Sequence, residues 1–143
     1  MRKRVIYTAG VFDLLHAGHL QILRRSRELG DALVVGVVSD DGTEAYKGRR
    51  PVQPEQERIE LVESLPWVTL ALVQPTTDPT LILEAIRPAA MTHGDDWAEL
   101  RQGQATLDRL GIEWVLLPYV PDGGHMSGPS SRIRETIIER GAA

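Results

Sequence analysis

Five short apolar runs alternate with segments of helical pattern along the chain, and that alternation constrains the fold more than any other feature. Val5 to Thr8, Ala32 to Val38, Val68 to Val73, Ala89 to Thr92 and Trp114 to Leu117 read as strands. The run ALVVGVV (Ala32 to Val38) is apolar without alternation, as suits a parallel strand buried on both faces. Ala17 to Glu28, Glu55 to Leu65, Pro79 to Ile86 and Leu100 to Leu110 read as helices, and Ser130 to Arg140 as a terminal one. Gly30 and Gly111 stand where helices should stop, and Pro79 suits a first helical position. Ile59, Leu61, Val62 and Leu65 form the apolar face of the helix from Glu55. The polar stretch from Asp40 to Pro54, which holds Lys47-Gly48-Arg49-Arg50-Pro51, reads as a loop. Strand and helix in strict alternation predict an α/β fold: a Rossmann-like open parallel five-stranded sheet with helices on both faces. Residues 1–143 form one domain in this reading.

Open parallel sheets bind ligands beyond the C-terminal ends of their strands. The first strand ends at residues 8 to 10, and Gly10-Val11-Phe12-Asp13-Leu14-Leu15-His16-Ala17-Gly18-His19 follows. Histidines three apart at a helix start lie on the same side of its first turn. That turn also presents unpaired N–H groups and the positive end of the helix dipole. Gly18, without a side chain, would let a phosphate approach closely. The set suits a triphosphate, although two capping or surface histidines would give the same spacing. A metal site on His16 and His19 lacks an obvious third ligand nearby.

Other residues have structural readings beside functional ones. Lys47 could be a solvated charge, and Arg58 could pair with Glu55 or Glu57 on an exposed helix. Asp95 and Asp96 could cap the helix that follows them. Asp13 is expected to bond within its own turn, and Trp67 and Trp114 to lie in the core.

Composition removes whole classes. Sixteen Lys and Arg against twenty Asp and Glu give a net charge of -4, which argues against a general nucleic-acid binder. The absence of cysteine rules out disulfides, thiolate metal sites and a cysteine nucleophile. No apolar stretch approaches the roughly 20 residues of a membrane span, and none resembles a signal peptide, so a cytoplasmic location is expected. The patterns GxGxxG and GxxxxGK[ST] do not occur.

GVFDLLHAGH resembles the HxGH signature of the cytidylyltransferase-like nucleotidyltransferases, and LGDALVVGVVSDD, the KG loop, the ExxR-like helix and HGDDW fit the same pattern. The resemblance covers about residues 5 to 137. It reaches glycerol-3-phosphate, choline-phosphate and ethanolamine-phosphate cytidylyltransferases, and the adenylyltransferase domain that makes ADP-heptose. It implies that Thr8, Ala9, Gly10, Val11, Phe12 and Gly18 line the nucleotide pocket. His16 and His19 would act on the triphosphate, with Lys47 approaching from the opposite side and Arg58 facing the nucleotide or acceptor phosphate. Gly94, Asp95, Asp96 and Trp97 would sit near the base.

The family's second signature, R-T-x-G-I-S-T-T, is altered here. Ser130 and Ser131 stand for its two threonines, and its arginine has no counterpart in the stretch from Asp122. ADP-heptose-forming domains share that loss, and their KG…RPVxPxxxR loop is similar to KGRRPVQPEQER (Lys47 to Arg58). HGDDW is closer to the glycerol-3-phosphate and choline-phosphate enzymes. The balance favours CMP transfer from CTP to a small phosphorylated acceptor, with pyrophosphate released. ATP with a heptose-like sugar 1-phosphate is the alternative, and a non-catalytic nucleotide-binding module is the reading from another class. The resemblance also implies Mg²⁺ bridging the nucleotide phosphates, no organic cofactor, no dedicated protein metal site and a homodimer.

Overall fold

The computed structural model describes residues 2–94, 102–120 and 138–140. Strands β1 (Val5–Gly10), β2 (Ala32–Val38), β3 (Leu70–Gln74), β4 (Ala90–Gly94) and β5 (Glu113–Leu117) make one sheet in the order β3-β2-β1-β4-β5. All four pairings are parallel. The helices are α1 (Ala17–Glu28), α2 (Asp40–Lys47), α3 (Glu55–Glu63), α4 (Thr80–Ile86) and α5 (Gln104–Leu110). Residues 138–140 are helical, while the rest of the expected terminal helix lies outside the described residues. No helix among the described residues is long and apolar enough to cross a membrane.

Period-two alternation in the central strands splits the core in two. Ile6, Leu33, Val35, Val37 and Ala90 pack with Leu23 of α1 and Val62 of α3 on one face. Tyr7, Ala9, Val34 and Met91 pack with Leu83 of α4 and Leu107 of α5 on the other. Trp67 packs against the first cluster and Trp114 against the second, as expected. Leu61 departs from its expected place on the apolar face of α3 and is exposed. Ile59, Val62 and Leu65 pack on the core as expected, and Arg58, fully buried like Val62, is buried with them.

The stretch from Asp40 to Lys47 is a helix and not a loop. Ser39 caps it by accepting from the Gly42 N–H at 2.9 Å. Asp40 and Asp41 lie in its first turn, Lys47 in its last, and Gly48 ends it in the left-handed region at φ 78°. These charges complement the helix dipole. The starts of α2 and α3 also cap each other. The Asp40 N–H donates to Glu55 Oε1 at 3.0 Å, and the Glu55 N–H donates to Asp40 Oδ2 at 3.3 Å.

β1 is central, with β2 on one side and β4 on the other. The chain leaves β1 toward β2 and later returns on the opposite side. The C-terminal ends of β1 and β4 therefore flank the switch in strand order, where a ligand cleft opens.

Close packing around β1 leaves no room for change. Tyr7 Oη donates to Gln74 Oε1 at 2.6 Å and lies over Gly36, where an added Cβ would stand 1.8 Å from it. Gly36→Ala should cost about 1–3 kcal/mol by overpacking. Urea denaturation checks this, and an unchanged midpoint would contradict it.

Candidate active site

The turn from β1 into α1 builds the site. Phe12 and Leu14 take left-handed φ values of 53° and 54°, a strained arrangement for residues with side chains. Asp13, between them, is buried and accepts from the N–H groups of Val52 (2.9 Å) and Gln53 (3.0 Å). It thus bonds to the loop before α3, beyond its own turn. Gln53 answers by accepting from the Leu14 N–H at 2.9 Å.

His16 and His19 form a capping box of two imidazoles at the start of α1. His16 Nδ1 accepts from the Gly18 N–H at 3.1 Å, and His19 Nδ1 accepts from the His16 N–H at 3.3 Å. The rings stack with centroids 3.8 Å apart, and Phe12 meets His19 edge-on at 5.5 Å. Because each Nδ1 is an acceptor, each proton sits on Nε2 and each ring is neutral. Burial lowers the pKa of both. For His19 burial, then His16, then Lys47, bring it down to about 3. Gly18 has a packing task at this point: a Cβ there would lie 2.9 Å from His16 Cε1, so its bareness admits the His16 ring.

The cleft above the switch point holds ≈ 230 Å³ and brings together eight of the eleven expected residues that are described. Thr8, Ala9, Gly10, Val11, Phe12 and His19 line it from the β1 side, Lys47 from α2, and Gly94 from β4. His16 stacks behind His19, and neither it nor Gly18 lines the cleft. Arg58 does not reach it either. Its side chain is fully buried, and its donors go to Gln53, Val11, Val38 and Asp40. The exposed pairing with Glu55 or Glu57 does not form. Asp95, Asp96, Trp97, Ser130 and Ser131 lie outside the described residues.

Sequence reasoning missed part of the lining: Thr43 and Tyr46 of α2, Arg49 and Arg50 after it, and His93 of β4. Reading α2 as a loop hid Thr43 and Tyr46, although Ser39, Asp40, Asp41 and Gly48 were its start and stop signals. The two arginines have different surroundings. Arg50 is held by Asp41 at 2.8 Å and Glu44 at 2.9 Å. Lys47 and Arg49 form no ion pair among the described residues. An acidic chain thus carries a cationic cleft at the uncompensated N-terminus of α1, which has no acidic residue in its first turn. Neutral Nε2–H donors, a helix start and two unpaired cations suit a polyanion with phosphate oxygens.

A parallel sheet that switches at β1, with HxGH at its mouth, defines a nucleotidyltransferase-type domain. The chain belongs to the cytidylyltransferase-like family, which it matches over residues 7–135. Among curated relatives it is 34% identical to the bifunctional protein HldE of Pelobacter propionicus over 96% of its own length. It is 37% identical to the protein of the same name from Campylobacter concisus over 94%. The chain spans only about a quarter of these relatives' lengths, 28% of each. Its fold is similar to that of a lipopolysaccharide core biosynthesis protein from Thermoplasma volcanium, with a TM-score of 0.70 and 29% identity. That match covers 85% of this chain and 99% of the other.

The lowered histidine pKa values fix the sign of a pH effect. Below about pH 6.5 the unfolded chain protonates these rings while the folded one does not, so stability falls with pH. Between pH 6.5 and 5 the loss should approach, per ring, at most ~1.4 kcal/mol per pH unit. His19→Asn should flatten that slope in urea titrations. Equal slopes in both proteins would contradict the assignment of His19.

Proposed function

We propose that this domain is an adenylyltransferase, joining AMP from ATP to a sugar 1-phosphate with release of pyrophosphate. The observation that carries nucleotidyl transfer is the pair of neutral, mutually capping imidazoles at the start of α1, on a cationic cleft. Support for ATP over the CTP favoured by HGDDW comes from two directions. The relatives are bifunctional proteins HldE, and the segment from Lys47 to Arg58 is similar to that of ADP-heptose-forming domains. A sugar acceptor also agrees with the lipopolysaccharide core biosynthesis protein that shares the fold.

In this mechanism an oxygen of the acceptor's phosphate attacks the α-phosphorus. The bond from that phosphorus to the β-phosphate bridging oxygen breaks, and pyrophosphate leaves with the electron pair. The acceptor oxygen is already anionic at neutral pH, so no general base is needed. The protein's work is orientation and charge stabilisation. The Nε2–H of His19 donates to the triphosphate from the cleft wall as charge develops, that of His16, stacked on His19 outside the cleft's lining, would join it where the phosphates extend past that wall, and Lys47 offsets charge from the α2 side. Asp13 is the one carboxylate in the described lining, and its oxygens are already committed to Val52 and Gln53. Mg²⁺, bound with the nucleotide, would supply charge neutralisation at its phosphates.

Pyrophosphate release, measured with ATP and with CTP against sugar 1-phosphates and alcohol phosphates, tests the reading. Release with ATP and a sugar 1-phosphate is expected. Release with CTP and an alcohol phosphate would restore the cytidylyltransferase reading, and ATP binding without release would mark a binding module. His16→Ala and His19→Ala should each lower kcat on the order of 10²–10³-fold. Near-normal turnover in both would remove the histidines from the mechanism.

A further inference from the structure

Arg58 is a buried cation that the mechanism above does not use. Nε donates to Gln53 O at 2.9 Å, Nη1 to Val11 O at 2.7 Å and Val38 O at 2.8 Å, and Nη2 to Asp40 Oδ1 at 2.7 Å. The four partners belong to four separate segments: the loop before α3, the turn after β1, the end of β2 and the first turn of α2. Two of those segments are opposite walls of the cleft. Val11 stands directly before Phe12 in the strained turn that runs to His16 and His19. Asp40 begins α2, whose other end carries Tyr46 and Lys47 into the cleft.

We infer that Arg58 is a positioning residue: it fixes the separation between the histidine wall and the Lys47 wall without touching substrate. The chemistry requires arginine. A planar guanidinium can aim donors in several fixed directions at once, whereas a lysine ammonium is a point charge with three. Asp40 supplies the countercharge that makes the buried cation tolerable. Strained φ values persist only where surrounding contacts over-determine them, and the bond to Val11 O is one such contact. The ties from Asp13 and Leu14 to Val52 and Gln53 join the same turn to the same loop independently. Loss of Arg58 should therefore misplace the walls without releasing the turn completely. A misplacement of about 1 Å can cost ~10²-fold in rate.

The inference rests on nucleotidyl transfer as the cleft's reaction, so one arm of its test is independent of activity. Hydrogen exchange on Arg58→Lys should rise for amides of residues 11–14 and 43–48, with Val34 and Val35 of β2 unchanged. Exchange rising equally in the sheet would show a general structural role and overturn the inference. In the activity arm, Arg58→Lys should lower kcat ~10–10²-fold while KM for ATP moves less than about 3-fold. Lys47→Ala should lose rate as well, and the double variant should be little slower than Lys47→Ala alone. Losses that multiply, or wild-type kcat in Arg58→Lys, would overturn the inference. Should Arg58→Lys fail to fold, Asp40→Asn keeps both walls and should give the same exchange pattern at smaller amplitude. An unchanged pattern there counts against the proposal. Wild-type protein silent with every nucleotide, together with the expected exchange pattern in Arg58→Lys, would sink the proposed reaction and leave the tie standing.

Discussion

A guanidinium with no exposed surface must place its donors inside the protein, and Arg58 places them where four segments converge. A fully buried, charged side chain is strongly unfavourable unless paired and hydrogen-bonded. Removing one partner of such a pair typically costs ~3–5 kcal/mol. The guanidinium satisfies the carbonyl of Val11, just after β1, and shares that of Val38, at the end of β2, with the more distant Thr43 hydroxyl. The same atoms hold the start of α2 through Asp40, which in turn caps α3. Strand ends, helix starts and cleft walls are thereby parts of one hydrogen-bonded assembly. The sheet sets where the cleft opens, and this assembly sets its width.

The histidine pair depends on that frame. Each imidazole gives its Nδ1 lone pair to a backbone N–H of the first turn, so each must stay neutral. Protonation at Nδ1 would break the cap it makes. Burial in the stacked arrangement favours the same state, as does the nearby Lys47 for His19. Gly18 makes the stack possible because His16 lies where its side chain would be. Helix capping and the preparation of two Nε2–H donors are one and the same arrangement. The capping reading and the phosphate-binding reading of HxGH therefore do not exclude each other.

Much of this was legible in the sequence, because burial on both faces of a parallel sheet leaves continuous apolar runs. Ala32 to Val38 announced β2, and Gly10 to His19 marked the turn that bears the site. What escaped was whatever draws its stability from polar groups. α2 buries little more than Gly42 and Thr43 and is held by caps and charges, so its polar residues resembled a loop. Arg58 sits among glutamates on a helix and looked like a surface residue, because its partners are backbone carbonyls from distant segments. Asp13 likewise found its donors 39 and 40 residues away, beyond the reach of local pattern.

Nucleotidyl transfer at this cleft depends on neutral imidazoles whose Nε2–H groups meet a triphosphate. Nitrogen-15 and proton NMR of the histidine side chains at pH 7, with and without Mg²⁺-ATP, measures this directly. The Nε2–H tautomer is expected for His16 and His19 in the free protein, retained on binding, with both Nε2–H resonances shifted by the nucleotide. Imidazolium or Nδ1–H signatures in the free protein would contradict it, as would ring resonances unmoved by saturating ATP.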